Sequence, residues 1–307
     1  MKQILLGCMI LSCLNIAYGQ SDLDLLDSIA EETNPKKDFV RYTFKTTRII
    51  NAHSTEIVAK HALDFRVSHR FGNLADWNAG HSFFGLTSAT DILIAFEYGL
   101  TDKWQLGIGR TQGAGPVREL YNLNMKYKIY EQTKNNKHPL SITLYGNACL
   151  SSMASSNDSS AVSNIQKFAH RSSYLVQGII ARKFSESFSL EILPTYIHRN
   201  LVDYYDENEL FALGIAGRIK FSKRVGMVFD CFLPISTWRY QRNINFANYY
   251  LPIGIGVEWE TGGHVFHINL SNSAGLLEND FIPYSSNDWL KGQFRLGFTI
   301  SRVFQLF

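Results

Sequence analysis

Three histidines, His53, His61 and His69, recur at intervals of eight residues. On extended backbone that interval separates neighbours by about 26 Å, too far to share a metal ion. His264 and His267 differ by an odd number and so point to opposite faces of a strand. His138, His170 and His198 fall near predicted strand ends and read as interface or loop residues. A lipid hydrolase needs a nucleophile within reach of a base, and the nearby combinations are His53 with Ser54 and Ser68 with His69. Sequence neighbours on a strand face opposite ways, so neither makes that pair by itself. Gly107-Ile108-Gly109-Arg110 is like a phosphate loop in composition only, because no helix follows it. The chain is therefore read as having no catalytic residue, no metal ligand and no cofactor.

The charged residues carry more information than the histidines. Asp64, Arg66, Arg70, Glu97, Lys126, Lys128, Glu191, Arg218, Asp230, Glu258 and Arg295 sit on the polar phase of alternating segments, as do Asp91, Lys103, Lys220 and Glu260. Their neighbours one residue away form apolar stripes, such as Leu63, Phe65, Val67 and Ile92, Ile94, Phe96. Leu123, Met125 and Ile129 form another stripe, and Phe294, Leu296, Phe298 and Ile300 the last. Period-2 alternation gives each strand one oily face and one polar face. Tyr98, Trp104, Tyr121, Tyr196, Phe221 and Trp259 fall near segment ends, as interfacial aromatics do. The prediction is a closed barrel with lipid outside and the charges inside. The rival, a soluble barrel packed inward, would bury every bulky stripe in a small interior.

Twelve segments carry the pattern, at about 60–71, 90–99, 103–112, 119–131, 138–150, 169–183, 187–199, 208–221, 224–236, 249–260, 263–272 and 290–303. Tight connections alternate with long ones, the asymmetry of outer-membrane barrels with short periplasmic turns. The fold class is all-β, an antiparallel transmembrane barrel of about 12 strands, or 14 if 75–88 hides a strand. The segment 39–49 is a weaker strand candidate. On parity it belongs in the periplasm, in the lumen or against the first strand, since a thirteenth crossing would start the chain outside. A bulge near Ser301-Arg302-Val303 would bring Phe307 into phase with the last apolar stripe.

Met1-Lys2-Gln3, the apolar run Ile4–Leu11 and Ala17-Tyr18-Gly19 read as a signal peptide over residues 1–19. A lipoprotein site at Cys13 is the competing reading. Residues 20–59 then form a periplasmic segment. Within it Leu23, Leu25, Leu26 and Ile29 lie at helical spacing over 21–38, as a short amphipathic N-terminal helix or a loosely ordered leader. That stretch could plug the lumen or meet a periplasmic partner. The barrel takes 60–307. Cys149 and Cys231 read as small apolar wall residues rather than a disulfide. No internal run reaches the roughly 18 apolar residues of a membrane helix. The net charge of +3 is too small to suggest nucleic acid. In the loops, Trp238-Arg239-Tyr240 with Tyr249-Tyr250, and Tyr204-Tyr205, suit either sugar contacts or, as favoured here, an outer aromatic girdle.

Thr43-Phe44-Lys45-Thr46-Thr47-Arg48-Ile49-Ile50-Asn51, then Leu63-Asp64-Phe65-Arg66-Val67-Ser68-His69-Arg70-Phe71-Gly72 and Phe83-Phe84-Gly85-Leu86, are distinctive in their order. With Glu97-Tyr98-Gly99-Leu100-Thr101 and Gly107-Ile108-Gly109-Arg110, the chain resembles the DUF5777 family of Bacteroidetes β-barrel proteins. The resemblance implies an outer-membrane barrel and assigns no activity or site residues. The expected function is a narrow pore or small-solute transporter. A structural or partner-binding barrel with a plugged lumen is the first alternative, and a lipid-modifying enzyme the second. Expected partners are outer-membrane lipids, the barrel-assembly machinery and a periplasmic protein acting through 21–38.

Overall fold

The computed structural model describes residues 39–75, 80–239 and 249–306. The predicted signal peptide and the helix over 21–38 lie outside the described residues. Twelve antiparallel strands close on themselves: β1 (Ala62–Asn73), β2 (Ala89–Gly99), β3 (Trp104–Thr111), β4 (Leu120–Tyr130), β5 (Ser141–Ser151) and β6 (Ser172–Lys183), then β7 (Phe188–Arg199), β8 (Glu209–Lys220), β9 (Val225–Ile235), β10 (Ile253–Thr261), β11 (His264–Ser271) and β12 (Arg295–Gln305). Each strand pairs with its sequence neighbours, and β1 pairs with β12 to seal the wall. All twelve predicted segments are strands, and among the described residues 75–88 holds no further one.

Closure leaves the sheet without an edge, which is what a lipid environment requires of a β structure. The strands run 8–12 residues, the length that crosses a bilayer at a tilt. The apolar stripes face out: Leu123 is 61% exposed, Ile108 58% and Phe211 57%. Outward aromatics stack along the wall, Trp104 on Tyr127 at 4.4 Å and Trp259 on Phe266 at 5.1 Å between ring centres. Outward His69 lies parallel to the ring of Phe298.

Two expectations about the wall need correction. β12 has no bulge at 301–303: Leu63 to Arg70 pair without a break with Phe304 down to Gly297, and the irregularity falls further on, at Arg70/Asn73. Arg302 therefore stays in line with Ile300 and Phe304. It is tolerated there because the strand is ending, and its guanidinium lies 4.9 Å over the Phe304 ring. The turn from β4 to β5 is also less tight than expected, because β5 begins only at Ser141. Residues 132–133 of that turn are instead occupied by the incoming chain: Val40 N donates to Gln132 O (2.7 Å) and Phe39 bridges Thr133.

The interior is filled with protein. From the tight-turn end, residues 39–61 enter as a finger whose tip is the turn Ile49–Ala52, closed by Ile49 N to Ala52 O (2.8 Å) and the Arg48–His53 bridge. From the opposite end the β11–β12 connection folds inward, carrying helix α1 (Glu278–Tyr284), six of whose seven residues are buried. Of the places left open for 39–49, the lumen is the one it occupies.

The wall these inserts meet has two sectors. β1–β4 and β10–β12 present mostly polar side chains inward. β6–β9 present Leu175, Ile179, Leu193, Ile197, Leu210, Val228 and Phe232, which pack with Phe44, Ile49 and Ile50 of the finger and Phe281 and Ile282 of α1. The expected polar interior is thus corrected over about a third of the circumference, where these apolar residues are interleaved with Glu191, Arg218 and Asp230. An apolar inward face is stable only because protein, not water, covers it.

Substituting Leu123→Arg, on the outward face of β4, should destabilise the barrel by about 2–4 kcal/mol, and Tyr121→Arg, nearer the rim, by about 0–1. Urea titration of folding into vesicles measures both; equal costs at the two positions would contradict this placement of the wall in the bilayer.

Candidate functional site

The finger cannot join the wall's ladders, so wall side chains take over its backbone bonds. Asp230 on β9 accepts from Asn51 N (2.6 Å), Ala52 N (3.0 Å) and Asn51 Nδ2 (2.8 Å). Arg70 on β1 donates to Asn51 Oδ1 (2.8 Å). Lys126 on β4 donates its three protons to the carbonyls of Thr47 (2.6 Å), Ser54 (2.9 Å) and Glu56 (3.1 Å). His267 Nδ1 donates to Ile49 O (2.6 Å), Gln105 Oε1 accepts from Val58 N (2.8 Å) and Thr143 Oγ1 donates to Thr55 O (3.1 Å). Thr47 Oγ1 donates to Glu97 (2.5 Å) and accepts from Arg66 (2.8 Å), which also pairs with Asp64 (2.8 Å). Gly254 leaves the space for the tip: a Cβ there would stand 2.6 Å from Asp230 Oδ1 and 2.9 Å from Asn51 Nδ2.

Asp64, Arg66, Arg70, Glu97, Lys126 and Asp230 thus share one buried network with the finger. Arg218 and Glu258 form an inward ion pair, with His267 Nε2 3.6 Å from Glu258. Glu191 is buried on the inward face of β7. Two candidates stand apart at the rims: Lys128 pairs with Glu131 (3.0 Å) at the tight-turn end, and Arg295 donates to Thr90 Oγ1 (3.1 Å) at the other.

The second insert is pinned by carboxylates. Asp91 accepts from Gly113 N (2.9 Å), Leu276 N (2.9 Å) and the hydroxyl of Thr111. Asp280 accepts from Ala114 N (2.7 Å), so the 112–118 turn and the α1 loop are both drawn over the mouth. Gly115 and Gly275 permit this, since a Cβ on either would lie within 2.4 Å of the Asp280 carboxylate. Arg199 donates to Tyr284 Oη (3.0 Å) and Asp206 (2.9 Å), and Arg239 to Pro283 O (3.2 Å from Nε, 3.1 Å from Nη2) and to Asp206. Arg239 is therefore a buried clamp on α1, with its guanidinium 5.4 Å over the rings of both Trp238 and Tyr249. Residues 240–248 of that run lie outside the described residues, and Tyr204 and Tyr205 are exposed.

The two inserts meet in mid-lumen. Arg48 donates to Asn51 O (3.0 Å), to Leu276 O and to Glu278 Oε1 (3.4 Å). His53 Nε2 stands 3.8 Å from the same oxygen, its ring 4.0 Å from that of Tyr145. Arg48, Asn51, Glu278 and Asp280 were not singled out from the sequence. The usable signal was Leu276-Leu277 and Phe281-Ile282 flanking acids in a long connection, a composition suited to a buried loop. The serine–histidine combinations come apart: Ser68 faces in and accepts from Thr299 Oγ1 (2.9 Å), His69 faces out, and Ser54 Oγ donates to Thr46 O (2.6 Å). Cys149 and Cys231 are both free thiols.

A family model, a membrane-bound β-barrel domain, matches residues 44–304 and so takes in the finger tip as well as the wall. The chain belongs to the DUF5777 family. No curated protein matches this DUF5777 chain significantly. Among solved structures it is similar to the KdgM porin, with 7% identity and TM-score 0.47 over 79% of this chain and 99% of that one. It is similar to the KdgM porin in complex with disordered oligogalacturonate to the same degree, with 7% identity and TM-score 0.46 over 80% and 99%. For a mutant of the Rh. blastica porin the values are 10% and 0.30, over 70% and 56%.

Burial first, and then the nearby Asp91, raise the Asp280 carboxyl from its ordinary value of 3.8 to about 7, against the Ala114 and Gly115 amides and Arg118, which favour its charge. A folded state that prefers the neutral acid is weakest above pH 7, gains as pH falls through 7, and has the full gain below about 4. Stability of the wild type relative to Asp280→Asn should accordingly rise between pH 8 and 5 in urea titrations. A difference that stays constant across that range would show that Asp280 does not carry the effect.

Proposed function

We propose that this barrel is a narrow pore of the bacterial outer membrane, closed at rest, whose opening to small solutes requires the finger 39–61 to move. One observation supports it above the rest: inward charges of the wall are partnered by the inserted finger and not only by one another. A permanent seal could be built from apolar side chains, like the Leu193, Ile197 and Phe232 contacts to the inserts, and would avoid the cost of burying ions. With the finger withdrawn, Asp64, Arg66, Arg70, Glu97, Lys126 and Asp230 would line a lumen wide enough for water, since twelve strands enclose more than the side-chain-filled eight-strand case. The finger begins at the tight-turn end, so a periplasmic partner of residues 21–38 would act on it from that side. The outer membrane is the location where closed barrels with a cleaved leader reside. The reading assigns no catalysis, and turnover of phospholipid by the purified barrel would contradict that part.

The second reading is a sealed scaffold that passes nothing, favoured by the Arg48–Glu278 contact that locks the two inserts together. Planar-bilayer recording separates the two. Wild type should be closed with rare openings. Asp230→Ala, which removes three bonds to a charged acceptor, should raise the open fraction roughly 10- to 100-fold, from about 1.5–3 kcal/mol of lost anchoring. A variant that still shows heat-dependent migration on gels, hence a folded barrel, yet gives no unit steps would establish the scaffold instead.

A further inference from the structure

β3 is short. It has eight residues against eleven in each neighbour, and its last residue, Thr111, pairs with Leu93 of β2. Residues 89–92 of β2 continue beyond that point, paired with β1 on one side only among the described residues. The chain that would have covered their other edge is pulled inward at 112–118 by Asp91 and Asp280. A gap of about 660 Å³ remains in the outer wall at the long-loop rim.

Its lining is amphipathic. Ile92 and Ile94, 38% and 46% exposed, form an apolar floor continuous with the lipid-facing band. Arg110 is in phase with outward Leu106 and Ile108, so it is a cation on the membrane side of the wall. Its guanidinium lies 4.9 Å over the Tyr121 ring, donates to Thr111 O (2.5 Å) and stands 3.8 Å from Glu119. Arg118, across the gap, uses its Nε on Gly115 O (3.1 Å) and is exposed, and its charge also acts on the Asp280 carboxyl. A charge on the lipid face is expensive at mid-bilayer but cheap at the headgroup level, and guanidinium forks match phosphate oxygens in pairs.

We propose that this gap holds the phosphate headgroup of an anionic membrane lipid, with Arg110 and Arg118 on the phosphate and an acyl chain descending over Ile92 and Ile94. The site is on the outer wall and is independent of whether the lumen conducts. The phosphate rather than the chain supplies selectivity, and the chain supplies retention.

Native mass spectrometry of the detergent-solubilised full barrel tests it with dioleoylphosphatidylglycerol, with dioleoylglycerol as the same chains lacking phosphate, and with inorganic phosphate as competitor. Wild type should retain the phospholipid over dioleoylglycerol. Arg110→Ala or Arg118→Ala should each lower retention roughly fivefold, and the double substitution about thirtyfold, the increment expected of a basic side chain beside an anionic lipid surface. Both positions are exposed or at the rim, and heat-dependent migration confirms that the variants fold. Undiminished retention in the folded double variant would overturn the site. Displacement of the lipid by millimolar inorganic phosphate would overturn it as a lipid site and mark a free-anion site instead.

Discussion

Residues 43–58 pass through the inside of a closed sheet, where no ladder is open to their backbone groups and the space is too full for bulk water. Buried amide and carbonyl groups left unpaired cost several kcal/mol in such surroundings. The wall answers with charged and amide side chains: Asp230 for the N–H groups of the tip, Lys126 for three carbonyls of the limbs. The exchange is mutual, because the same buried charges would be orphaned without the finger. In the closed barrel each side satisfies the other's buried polar groups.

The apolar sector works on a different principle. Leu193, Ile197 and Phe232 face Ile49, Ile50 and Phe281, and their contribution is non-directional area. Phe232 meets Phe281 edge-on at 5.3 Å, so the wall grips α1 as well as the finger. Hydrogen bonds from both sectors, Asp230 of β9 included, specify where the inserts go, and the apolar contacts hold them there. Arg48 joins the inserts through Leu276 and Glu278, so the finger and the α1 loop form one connected plug. A connection that descends so far into the lumen also leaves its neighbours short of cover. The gap beside β2 is the outer-wall counterpart of the loop being drawn inward over the mouth.

The twelve strands were legible in the sequence to within about five residues at their ends. The reason is local: lipid on one side and protein on the other force strict alternation, and a one-residue slip would turn every side chain to the wrong face. Nine of the eleven predicted lumen charges lie on the inward phase of the strands, and Lys128 near the end of β4 and Arg295 at the start of β12 sit at the rims. The same parity kept 39–49 out of the wall. What it could not do was choose among the remaining places for that segment, because its polar residues have no period that names their partners.

Sequence by itself determined an antiparallel membrane barrel of about twelve strands and its phase, both consequences of nearest-neighbour pattern. Only the tertiary structure decided that the lumen is occupied, and by which segments. Asn51 meets Asp230 across 179 residues and Arg48 meets Glu278 across 230. Such contacts depend on closure of the sheet, which brings together residues that no local spacing relates.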